Sequence, residues 1–210
     1  MKVDMNRVCV YVDGFNLYFG LKSKGWRKHY WLNLEALSAS LLKPGQSLEA
    51  VHYFTSRIRI NGNNQKSMQR QTCYLEALGT LKILQTHLGH FLEKQRMCRS
   101  CGGKWTGYEE KMTDDNIAVQ MMKDAFADSF DTAILISGDS DLTSPLRTLR
   151  QQFPSKRLIV AFPPGRNSAE LSKAAHGFFT IGEANLRQSQ LAQQVVRQDG
   201  FELNCPATWK

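Results

Sequence analysis

The stretch RVCVYVDGFN, residues 7–16, decides how the rest of the chain reads. Residues 8–12 are apolar without a break and end at Asp13-Gly14, so they read as a buried strand entering a turn. Working outward, AVHYFTSRI at 50–58, TAILI at 132–136 and RLIVAF at 157–162 are runs of the same kind, and 81–92 reads as a strand or hairpin arm. Helical patterns separate them at 15–24, 63–78, 142–152 and 168–175. Asn33 is placed to cap a short helix ending before Pro44-Gly45. At 113–127 a helix is expected with Thr113 as its cap and Ile117, Met121, Met122, Ala125 and Phe126 on one apolar face. Residues 177–181 suggest a short edge strand, and those after Leu191 are polar and weakly periodic. Alternating strands and helices, with near-continuous apolar strands, predict an α/β fold with a mostly parallel sheet and helices on both faces.

The chain has 210 residues, with 27 Lys and Arg against 19 Asp and Glu, a net charge of +8. With 42% hydrophobic residues it is neither disordered nor fibrous, and its length suits one domain. That domain is expected over 1–185, with a cysteine-containing insertion at 96–107 and a tail at 186–210. Residues 1–105 carry 16 basic and 6 acidic side chains, whereas residues 106–210 carry 11 and 13. A basic half suits a polyanion, and an acidic half suits gathered carboxylates. No stretch reads as a secretory leader or a membrane span. The five cysteines are an odd number, which argues against a disulfide framework. A cytoplasmic protein is expected. Neither GxxxxGK[ST] nor GxGxxG occurs, which argues against an NTPase or dinucleotide enzyme.

Carboxylates follow the strands. Asp13 ends the first run; Asp139 and Asp141 follow TAILI; Asp114 and Asp115 open the helix after residue 112. In a parallel sheet the strands end at one edge, where ligands bind. Each Asp alone is an ordinary turn or cap residue. Together they would repel unless a cation neutralised them, and Mg²⁺ or Mn²⁺ takes oxygen ligands. Such a centre activates water and stabilises the leaving oxygen of a phosphodiester. A phosphatase with a second Asp two residues after the first is disfavoured, because Phe15 stands there.

Three segments carry a family resemblance. They are VYVDGFN at 10–16, EEKMTDDNIA at 109–118 and ISGDSDL at 136–142. Their order and spacing resemble the NYN domain family of PIN-like nucleases, with the LabA-like branch nearest, over roughly residues 7–183. The resemblance implies a three-layer α/β/α sandwich and a Mg²⁺- or Mn²⁺-dependent endoribonuclease. It implies an acidic centre of Asp13, Asp114, Asp139 and Asp141, oriented by Asn16 and Ser137. Asp115 departs from the family pattern, which has an apolar residue there, and is expected to face solvent.

Two further features are open. Cys98 and Cys101 form a C-x-x-C pair followed by Gly102-Gly103. They supply two of the four ligands of a structural Zn²⁺, with His87, His90 or Cys73 as nearby candidates, or they remain an unligated pair. Lys22, Lys24, Trp26, Arg27 and Lys28 form a basic and aromatic cluster with Tyr30 and Trp31. Arg57, Arg59, Lys66 and Arg70 form a second cluster, and Arg96, Arg99 and Lys104 a third. Phosphate contacts with base stacking suit single-stranded RNA; a solvated face with packed aromatics is the alternative. The expected partner is RNA, alongside a second copy or a regulatory protein. A silent RNA-binding module of the same fold is the alternative to an enzyme.

Overall fold

Period-two alternation assigns each side chain of the first strand to one of two layers. The computed structural model describes residues 5–58, 64–98 and 100–210, with the backbone alone for 90–96 and 105–111. In it β1 (Asn6–Asp13) lies at the centre of a seven-stranded sheet. Val8, Val10 and Val12 face one helical layer, and Cys9 and Tyr11 face the other. Full burial of each valine contributes roughly 1.5–3 kcal/mol.

The chain continues through α1 (Gly14–Ser23), α2 (Leu34–Ser40), β2 (Gln46–Ser56), α3 (Gln65–Leu78), β3 (Leu84–Met97) and β4 (Lys104–Lys111). There follow α4 (Thr113–Phe126), β5 (Thr132–Ile136), α5 (Thr143–Gln152), β6 (Arg157–Phe162), α6 (Ala169–Ala174), β7 (Gly177–Thr180) and α7 (Glu183–Gln188). The strand order is β4-β3-β2-β1-β5-β6-β7, and every neighbouring pair is parallel except β3 and β4. Helices α1, α2, α3 and α7 supply Leu17, Leu34, Leu37, Leu78 and Leu186 to one face. Helices α4, α5 and α6 supply Ile117, Met121, Leu146 and Leu171 to the other. The molecule is therefore the expected α/β/α sandwich.

Three local expectations are corrected. The loop expected at 96–107 is strand at both ends, 96–97 and 104–107: β3 and β4 form an antiparallel arm, closed by a turn in which Gly102 N–H donates to the Cys98 carbonyl at 2.9 Å. Glycine and cysteine spacing signalled the turn but not the ladder on either side. Thr113 is the first residue of α4 rather than its cap; Met112 precedes it in the left-handed region at φ 79°. The segment expected as a tail carries regular structure. A hairpin of β8 (Gln194–Val196) and β9 (Glu202–Asn204) packs with Trp31, Ala77, Leu191, Leu203 and Cys205 as a satellite core. Its strands are three residues each, too short for periodicity to register. Among the described residues, no helix is long and apolar enough to cross a membrane.

Candidate metal centre

Strand pairing places the first carboxylate. Because β1 and β5 run parallel, with Val12 opposite Ile136, Asp13 and Ser137 leave the sheet at the same edge. Asp13 ends β1 and caps α1, so strand and helix meet without a loop. Its Oδ1 accepts from Asn16 N–H at 2.9 Å, and its Oδ2 accepts from the Ser137 hydroxyl at 2.8 Å. Ser137 Oγ in turn accepts from Asp139 N–H at 3.0 Å, and Asn16 Oδ1 accepts from Gly138 N–H at 3.0 Å. The β1 and β5 ends are thus sewn together by the side chains of Asp13, Asn16 and Ser137. Gly14 is required at this junction, because a Cβ there would lie 2.7 Å from the Phe54 carbonyl oxygen and from the Tyr53 ring.

The second carboxylate comes from α4 and the third and fourth from the turn after β5. Asp139 Oδ1 accepts from Asp141 N–H at 3.1 Å, which shapes that turn. Oxygens of Asp114, Asp139 and Asp141 all lie within 4.8 Å of one another. Asp13 lines the same cleft, of about 390 Å³, but stands outside that close set. It is 2% exposed, and both of its carboxylate oxygens already accept a hydrogen bond. Asp115 is exposed at the cleft rim, also outside the set.

The electrostatics follow. Burial pushes Asp114 up to about 7, helped by the charges of Asp13, Asp139, Asp141 and Asp115. Burial also raises Asp13, against hydrogen bonds from Asn16 and Ser137 that pull it down. Three carboxylates this close match the oxygen ligands that a hard divalent cation takes, and the charge of such an ion would relieve the repulsion that helps to raise Asp114. The residues fit such an ion.

Other expected residues scatter more widely. Lys22 and Arg27 line a second cavity of about 620 Å³, described below. Lys24 and Arg57 are exposed. Lys28 pairs with Glu183 at 2.9 Å. Trp26 packs partly against the core, and Trp31 is buried, its indole N–H donating to the Ala192 carbonyl. Arg59 and Arg99 lie outside the described residues, as do the side chains of His90 and Arg96. At Cys98, backbone N–H groups of Cys101 and Ser100 hold the thiol below its ordinary range. Among the described residues no third ligand joins Cys98 and Cys101, and Cys73 lies against the Asn204 carbonyl instead.

Sequence reasoning missed a largely buried relay on the α4 side of the sheet. Tyr11 donates its hydroxyl to Asp124 at 2.8 Å, Asp124 meets His52 at 3.2 Å, and His52 meets His87 at 3.0 Å. It also missed Met112, whose left-handed backbone turns β4 into α4 at the cleft lip. Only a φ > 0 residue other than glycine marks it, and no sequence pattern does.

The sequence profile of the NYN domain matches residues 7–182. A relative from Pseudomonas putida, 6-hydroxy-3-succinoylpyridine 3-monooxygenase HspA, is 25% identical over 81% of this chain. The chain spans 65% of that protein's length. The crystal structure of a protein of unknown function from Vibrio parahaemolyticus is similar in fold, with a TM-score of 0.55 and 17% identity. That match covers 91% of this chain and 99% of the other.

Proposed function

Because this chain belongs to the NYN domain family, a family of PIN-like nucleases, we propose that it is a metal-dependent endoribonuclease. The observation that carries the reading is the set of Asp114, Asp139 and Asp141 oxygens within 4.8 Å at the carboxyl edge of the sheet. In this reading those three carboxylates hold Mg²⁺ or Mn²⁺. When bound, such an ion lowers the pKa of water and offsets charge on a scissile phosphodiester. Asp13 accepts from Asn16 and Ser137 and so fixes the edge on which the other carboxylates stand. Asn16 and Ser137 orient the site by joining Asp13 to the 137–139 turn. Basic residues such as Lys22 and Arg27 hold the RNA backbone. The expected location is the cytoplasm.

The test is incubation of mixed RNAs with the purified protein in Mn²⁺ or in EDTA. Cleavage is expected in Mn²⁺ and not in EDTA. Asp139→Asn keeps an Oδ1 to accept from Asp141 N–H but removes a ligand charge. Its activity is expected to fall further than the roughly 10–100-fold loss predicted for the orienting change Ser137→Ala. RNA binding without chelator-sensitive cleavage would reject the enzyme reading and favour a silent binding module. A fully active Asp139→Asn would reject the assigned centre.

A second reading is favoured by the larger cavity. The Pseudomonas putida relative is named for a hydroxylated, succinoyl-bearing pyridine, and the cavity has aromatic walls and cationic groups. That reading predicts turnover of a small aromatic acid with no cleavage of RNA.

A further inference from the structure

Beside the acidic cleft lies a cavity of about 620 Å³, within the roughly 300–1,000 Å³ of small-ligand sites. Its walls are aromatic. Tyr18 and Tyr30 have ring centroids 5.1 Å apart, Tyr30 and Trp209 5.6 Å, and Trp209 and Tyr74 6.0 Å. Tyr18 and Phe19 are each 41% exposed, with Lys22 Nζ 5.9 and 5.7 Å from their ring centroids, whereas Tyr30, Tyr74 and Trp209 also pack partly against the core. Among the described residues three cations, Lys22, Arg27 and Arg70, reach the same space, and no Asp or Glu lines it. Among the described residues none of the three is in an ion pair, whereas neighbouring Lys28 is neutralised by Glu183. Arg70 is steadied by donating to Ser67 Oγ at 2.9 Å.

The position is as informative as the lining. Phe15 belongs to both spaces, with cations on one side of it and carboxylates on the other. Helix α1 is the partition: its cap, Asp13, lines the cleft, while Gly14, Leu17, Tyr18 and Leu21 line the cavity. Aromatic faces with unopposed cations match a ligand that is flat and apolar at one end and anionic at the other. An unpaired nucleobase with its flanking phosphate has that chemistry, and stacking on aromatic rings accepts any base.

We propose that this cavity is a nucleotide subsite. One unpaired base of the substrate stacks on the Tyr18–Tyr30–Trp209 wall, Lys22, Arg27 and Arg70 hold the adjoining phosphate, and the strand passes Phe15 to reach the carboxylates. The assignment rests on the nuclease reading for the identity of the strand, but not for the binding itself. It requires a substrate that is single-stranded where it enters, because a paired base cannot leave its stack to fill the cavity without added cost.

Binding in EDTA separates the subsite from catalysis. The probes are a fluorescent oligoadenylate, adenosine 5′-monophosphate, adenosine, inorganic phosphate and pyridine-3-carboxylate. The variants are Tyr18→Ala and Arg70→Gln, with melting curves to confirm that each folds. Wild type is expected to bind the oligoadenylate, and Tyr18→Ala to bind it on the order of tenfold more weakly. Arg70→Gln is expected to lose affinity for the monophosphate but not for adenosine. No oligoadenylate binding by wild type, unchanged binding in folded Tyr18→Ala, or binding of pyridine-3-carboxylate in place of the monophosphate would overturn the subsite. Mn²⁺-dependent cleavage with unchanged Tyr18→Ala binding would sink the subsite and leave the nuclease reading. Weakened Tyr18→Ala binding with no cleavage by wild type would do the reverse.

Discussion

Asp114 and Asp124 sit on one helix and respond to pH with opposite signs. Asp114 is raised to about 7 by burial and by its acidic neighbours. Between its ordinary value near 4 and about 7, the native state holds a proton that the unfolded chain has released. Metal-free stability should therefore fall as pH rises through this window. Asp114→Asn should flatten the fall and raise the melting temperature at pH 8, as calorimetry in EDTA would show. Mn²⁺ must displace that proton, so the melting shift it produces should shrink as pH drops from about 8 to 6. Burial would raise Asp124 too, but hydrogen bonds from His52, Gln120 and Tyr11 hold it below the usual range. Its contribution is present above about pH 4 and is lost as pH falls lower. Tyr11→Phe deletes one of those donors inside the core and should cost about 1–3 kcal/mol in denaturant titrations. None of this relay was legible in sequence. Asp124 looks like one more polar residue of a surface helix, and only strand register brings His52 and His87 to it.

At the scale of elements, what the sequence revealed was what short-range pattern controls. TAILI and RLIVAF became β5 and β6 with the ends expected, because a strand covered on both faces needs a near-continuous apolar run. The convergence of Asp114, Asp139 and Asp141 was also legible, since parallel strands share one carboxyl edge. The place of Asp13 at a strand end was plain as well; its two hydrogen bonds, from the Asn16 backbone N–H and the Ser137 hydroxyl, were not, because they depend on the local turn and on side-chain rotamers. The β3–β4 arm escaped because cysteines and glycines mark a turn and say nothing of pairing across it. The α1 junction makes a sharp prediction. Gly14→Ala would push a methyl to within 2.7 Å of the Phe54 carbonyl oxygen and the Tyr53 ring. Its strain should displace Asp13 and Asn16, and the expected cost is about 1–3 kcal/mol of stability with a loss of cleavage. Urea titration and RNA assays would check both.

Across the whole molecule, charge is sorted by location more than by half of the chain. Acidic side chains gather in the cleft, whereas the larger cavity next to it holds cations and, among the described residues, no carboxylate. RNA affinity should fall steeply with added salt, and Asp139→Asn should retain that slope while losing activity. Fluorescence titration at two salt concentrations gives the slope; salt-independent binding would contradict the electrostatic picture. The C-terminal hairpin adds a stability prediction. Leu203 is 3% exposed and packs with Trp31, so Leu203→Ala should destabilise the protein by roughly 2–5 kcal/mol. It should also loosen Trp209 at the cavity wall.

The loopless join of β1 to α1 sets how this chain tolerates changes in length. One residue added between Asp13 and Gly14 would rotate every later position of α1 by about 100°. Leu17 and Leu21 would swing away from the sheet, and Tyr18 would leave the cavity, so one added residue would disturb core, cleft and cavity together. The turn at the tip of the β3–β4 arm is the opposite case. It lies beyond the six strands that carry the core, and added residues there lengthen a turn without turning a helix. Insertions for labels or fused domains belong at that tip, and a library of random insertions should be emptied at the one junction and filled at the other.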